Sequence, residues 1–126
     1  MQDEKQSADR AWTVDYADHS GNRYRFWQAG GEDKARFSYD PITPEQSSSG
    51  TYSGGEPREG TLDPAQVESL FEQVRMLEER VESHATMRMK GTGSLRIREG
   101  SGAPRRFLIR NGQSRQDFDR FLEPFR

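Results

Sequence analysis

Cysteine is absent from the 126 residues of this chain. That excludes disulfides, thiolate metal sites and cysteine nucleophiles. Histidine is nearly absent: His19 falls in the turn-forming cluster DHSGN and His84 near the end of a helical pattern. Neither belongs to an HExxH or another spacing that supplies several metal ligands. His19 beside Asp15 or Asp18 would only place exposed neighbours in a turn. No G-x-S-x-G is present, so Ser49 within SSSG would need a base brought from elsewhere to act as a nucleophile. Glu78, Glu79 and Glu82 stand among the polar positions of a helix, without the shelter that general acid catalysis requires.

Long apolar runs are also missing. No segment approaches the roughly 20 residues needed to cross a bilayer. The start, MQDEKQSADR, lacks the basic region and apolar stretch of a secretory leader. The expectation is a soluble cytoplasmic protein with no cofactor, no metal and no membrane partner. Apolar residues make up 30 % of the chain and charged residues 32 %, so one modest core beneath a charged surface is expected. Two Trp, four Tyr and seven Phe supply the bulk for it. The net charge of −2 hides an asymmetry: residues 1–87 carry nine Lys or Arg against seventeen Asp or Glu, and residues 88–126 carry ten against four.

Residues 1–10 read as a loose tail, and 11–126 as a single domain. Trp12, Val14 and Tyr16 alternate as in a half-buried strand. After a turn at DHSGN, Tyr24 and Phe26 share one face while Arg23, Arg25 and Trp27 take the other. After AGGED, Ala35, Phe37 and Tyr39 oppose Lys34, Arg36 and Ser38. Pro41 and Pro44 close this block. Residues 41–62 are rich in Ser, Gly and Pro and read as a long loop, with a short edge strand expected near Thr51 to Ser53.

Asp63 as N-cap, Pro64 at the first helical position and Gln66 at the capping-box position open the clearest helix of the chain. Val67, Leu70, Phe71, Val74, Leu77 and Val81 form its apolar stripe, predicting about 20 helical residues. Three further strands follow: Ala85 to Met89, then one carrying Leu95 and Ile97, then one carrying Phe107 and Ile109. A short helix runs from about Ser114 to Leu122, with Ser114 as its cap and Pro124 as its stop. The predicted fold is α+β: an antiparallel β-sheet packed against one long amphipathic helix, in the order βββ-loop-α-βββ-α. Alternation alone leaves open whether the two β blocks form one sheet or two.

Two surfaces stand out as binding candidates. If Leu95, Ile97, Phe107 and Ile109 are buried, then Arg96, Arg98, Arg106 and Arg110 face away from the core. Arg88 and Lys90 repeat the pattern, giving six cations on one sheet face, suited to phosphates or to a carboxylate-bearing protein surface. The second surface is SSSGTYSGG, residues 47–55, which reads either as unanchored slack or as a binding loop whose single large side chain, Tyr52, packs over Trp27 beside Ser49. Lys90-Gly91-Thr92-Gly93 lacks the Walker pattern and no helix follows it, so a tight turn is expected there. The expected function is a small non-catalytic binding or regulatory domain acting on a protein partner or on a second copy of itself. Nucleic-acid or other polyanion binding through the arginine face is one alternative. A small enzyme with a pocket under the Ser/Gly-rich loop is the other.

Overall fold

The computed structural model describes residues 11–126; the tail expected at 1–10 lies outside the described residues. Seven strands form one antiparallel sheet: β1 Trp12–Ala17, β2 Arg23–Gln28, β3 Ala35–Asp40, β4 Arg58–Leu62, β5 His84–Ala85, β6 Gly93–Glu99 and β7 Arg105–Ile109. Two helices, α1 Pro64–Glu79 and α2 Gln113–Leu122, complete the expected α+β architecture. Across the sheet the order is β4-β3-β2-β1-β6-β7-β5. The first three strands form a meander, and β1 then pairs on its free side with β6, placing Val14 opposite Ile97 and Tyr16 opposite Leu95. That one pairing joins the two β blocks.

Strict alternation sorts the side chains to the two faces. Trp12, Val14, Tyr16, Tyr24, Phe26, Ala35, Phe37, Tyr39, Leu95, Ile97 and Ile109 are buried on the face that both helices cover. Aromatic edges fill much of this layer: Phe118 of α2 meets Tyr16, and Phe125 meets both Phe26 and Phe37. Leu70, Val74 and Leu77 of α1 are buried against it, and Phe71 packs edge-on to Trp12. A chain with few aliphatic residues thus closes its core with rings. No helix among the described residues is long and apolar enough to cross a membrane.

The capping box opens α1 as its sequence predicts, with Asp63 accepting from the Gln66 backbone and the Gln66 side chain accepting from Asp63, both at 2.8 Å. The helix ends at Glu79, sooner than its apolar stripe suggests, and Val81 falls in a 3-10 turn with 69 % of its surface exposed. The helix leaves from β4 at one edge and must deliver the chain to β5 at the other, about 29 Å across seven strands. Sixteen residues of helix supply about 24 Å of that path.

Three other expectations are corrected. The edge strand within 41–62 is Arg58–Leu62 and not Thr51–Ser53, because Leu62 can reach the core and the earlier stretch has no such residue. The strand expected from Ala85 to Met89 stops at Ala85. β6 lies two places inward from β5, so residues 86–92 must pass the end of β7, and they do so as a loop with Met87 and Met89 exposed. Gly91 turns that loop back at φ +85°, and a Cβ there would lie 2.8 Å from Asn111. Finally, α2 begins at Gln113 after Gly112, and Ser114 does not cap it.

Candidate functional site

The face opposite the helices carries the polar half of every strand. Its central row runs Glu59, Ser38, Arg25, Asp15, Arg96, Arg106 from β4 to β7, each residue directly opposite the next. Toward one end of the strands lies the row Thr61, Arg36, Trp27, Thr13, Arg98. Toward the other lies Asp40, Arg23, Ala17, Ser94, Leu108. Six arginines from four strands therefore share this face with one tryptophan and three carboxylates. No helix among the described residues covers it.

Between the central row and the row of Arg23 and Ser94, a solvent-open depression of about 560 Å³ is lined by side chains including Asp15, Arg23, Arg25, Asp40, Arg88 and Arg96. Asp15 accepts from Arg25 Nε at 2.8 Å and stands 3.7 Å from Arg96 Nη1, so one carboxylate lies between two guanidiniums. Arg36 is 3.8 Å from Glu32. Among the described residues no carboxylate comes within 4.0 Å of Arg23, Arg88, Arg98 or Arg106.

Of the six cations expected on one face, Arg96, Arg98 and Arg106 stand there and Arg88 reaches its margin from the 86–92 loop. Lys90 and Arg110 do not join them. Both line a separate hollow with Met87 and Met89, and Arg110 donates to the Glu82 carbonyl at 3.1 Å. Arg23, Arg25 and Arg36 fill their places from the N-terminal strands. Their alternation is plain in the sequence, but which strand neighbours which is not. The β1–β6 pairing is what brings the two sets together.

Trp27 lies on the arginine face, half-buried between Thr13 and Arg36. Tyr52 does not meet it. The Tyr52 hydroxyl accepts from Asn22 Nδ2 at 2.9 Å, beside the other end of β2, roughly 17 Å along the strand from Trp27. Asn22 is the hub that fixes the long loop. It donates to the Asp18 carboxylate, and its Oδ1 accepts from Ile42 N at 2.9 Å. Gly54 packs so closely against Asn22 and Pro41 that a Cβ has no room, while its carbonyl accepts from the Tyr39 hydroxyl. Ser49 stays at the exposed tip, hydrogen-bonded to Thr51 at 3.0 Å. The loop is thus anchored through Tyr52, but it builds no pocket with Trp27.

A polar cluster that the sequence did not single out joins α2 to the end of β1. Arg115, whose side chain is 8 % exposed, donates to Asp119, to Asn111 Oδ1 at 3.0 Å and to His19 Nδ1 at 2.8 Å. Arginine can only donate, so His19 Nδ1 is the acceptor in this arrangement. The Tyr16 hydroxyl donates to Asp119 at 2.7 Å. Burial pushes the Asp119 carboxyl above its ordinary range, and the Tyr16 hydrogen bond and the Arg115 charge pull it partly back. Burial and the neighbouring Asp119 charge hold the Tyr16 phenol far above its usual value, keeping it a donor. The signal was the four-residue spacing of Asn111, Arg115 and Asp119, the last two on one face of α2.

Chemically, the open face can present paired guanidinium forks to oxyanions and a ring to an apolar or planar group. Among the described residues no cluster of three or more His, Asp or Glu is arranged to hold a metal. Comparison with protein-family models, with curated proteins and with solved structures finds no match for this chain.

Proposed function

We propose that this chain is a binding module that docks an acidic protein surface on the uncovered face of its sheet. The observation that carries this is the gathering of Arg23, Arg25, Arg36, Arg96, Arg98 and Arg106 with Trp27 on one side of a rigid sheet. Arginine and tryptophan are the residues that most often dominate binding energy at protein interfaces. All six cations are arginines, whose planar forks engage carboxylates bidentately and keep their charge when desolvated. Asp15, Asp40 and Glu59 interrupt the positive field. Such interruptions would repel a continuous phosphate backbone, whereas they help set register against a protein surface bearing both signs of charge. A single aromatic in a flanking row also falls short of the stacked series that single-stranded nucleic acids use.

Fluorescence anisotropy with labelled poly-L-glutamate and with a single-stranded oligonucleotide tests this. Poly-L-glutamate is expected to bind saturably, and to weaken at least about tenfold in the Arg98→Glu, Arg106→Glu double variant. Raising the salt should weaken it further. Tighter binding of the oligonucleotide would move the function to nucleic acid, and binding of neither probe would remove the arginine face as a site.

A further inference from the structure

We propose that Arg88, Arg96 and Arg106 form a subsite for a doubly charged phosphate monoester; this rests on the arginine face being the docking surface. Arg96 and Arg106 are directly opposite in the β6–β7 register, which sets their Cβ atoms about 5 Å apart. Like charges so placed destabilise a sheet unless something lies between them. The nearest carboxylate, Asp15, lies on the β1 side of Arg96 and is already held by Arg25 at 2.8 Å. The β7 side of Arg96 therefore has no counter-charge among the described residues.

A further observation points to an acceptor on this part of the face. Arg88 reaches the same depression from the 86–92 loop, and Ser94 adds a hydroxyl. Three guanidiniums lining one depression suit a tetrahedral dianion with several acceptor oxygens better than a single carboxylate. A phosphodiester carries one charge and suits the site less well on the same ground. The depression is open and has room for the group that bears the phosphate. Asp15 and Asp40, with Arg23 and Arg25, occupy its β1–β3 side, so the dianion sits on the β6–β7 side.

Titration of the full chain with phenyl phosphate, followed by NMR of the arginine Nε–H resonances, tests the assignment. Saturable shifts are expected at Arg88, Arg96 and Arg106. Affinity should fall about tenfold as the phosphate loses its second charge between about pH 7.5 and 5, while sulfate, dianionic throughout, holds its affinity. Arg106→Gln should weaken phenyl phosphate at least about tenfold, and Arg75→Gln, on the outer surface of α1, should leave it unchanged. A phosphoserine peptide that binds tighter than inorganic phosphate identifies a phosphorylated side chain of the partner. Equal binding identifies a small phosphorylated ligand. Shifts that never saturate, an Arg106→Gln variant that titrates as the parent, or acetate binding equally well would each overturn the subsite. Poly-L-glutamate binding that survives such a result would leave the docking face standing without it.

Discussion

Arg115 shows how much a single buried charge can decide. Its guanidinium reaches Asp119, Asn111 and His19 at once, and Tyr16 completes the coordination of Asp119. Removing the arginine leaves the half-buried Asp119 carboxylate without its cationic partner, so Arg115→Ala should cost about 1–3 kcal/mol in urea unfolding. Tyr16→Phe removes one donor and should cost about 1–3 kcal/mol. The two should couple in a double-mutant cycle, since both act through Asp119. Tyr16 and Tyr24 also set an alkaline limit. Burial raises both phenols well above their ordinary range. The folded state therefore keeps protons that the unfolded chain releases above about pH 10. Their stabilising contribution is complete below that pH and is lost as pH rises toward the folded values, by about 1.4 kcal/mol per tyrosine per pH unit. Urea midpoints measured on either side of about pH 10 should fall steeply on the alkaline side only.

Elements were legible wherever one residue type had one physical use. Asp63, Pro64 and Gln66 mark the start of α1 because each satisfies or removes an orphaned backbone donor, and Asp63→Ala should cost about 1 kcal/mol. Period-two alternation placed the inward rings of β1, β2 and β3 correctly because a strand offers only two faces. Legibility failed where an element's extent depends on distant geometry. Nothing in the Val81 side chain says that α1 has already ended at Glu79. Nothing in Met87 and Met89 says that the chain must step past β7. The candidate site suffered in the same way: the parity of Arg23 and Arg25 was visible, but their neighbourhood with Arg96 depends on a pairing about 80 residues distant in sequence. For the long loop, the hydroxyl of Tyr52 mattered more than its ring. Tyr52→Phe should therefore speed proteolytic cleavage between Thr43 and Pro57 while leaving the melting temperature of the sheet nearly unchanged.

At the scale of the whole molecule, charge and core lie on opposite sides of one sheet, so stability and binding can be varied separately. Substitutions on the arginine face should change ligand affinity with little effect on unfolding, whereas Val14→Ala and Ile97→Ala, a facing pair under the helices, should each lower stability by about 1–5 kcal/mol. Their effects should depart from additivity by about 0.5 kcal/mol or more. The same pairing governs the life of the chain during synthesis. The partner that Trp12 to Ala17 need, Gly93 to Glu99, is synthesised about 80 residues after them. At about 5–20 residues per second, β1 spends about 4 to 15 s with one ladder edge open. The meander β1-β2-β3 can close behind it, but its apolar face waits uncovered for both helices. That interval is when a nascent chain of this protein is most exposed to a neighbour's strand.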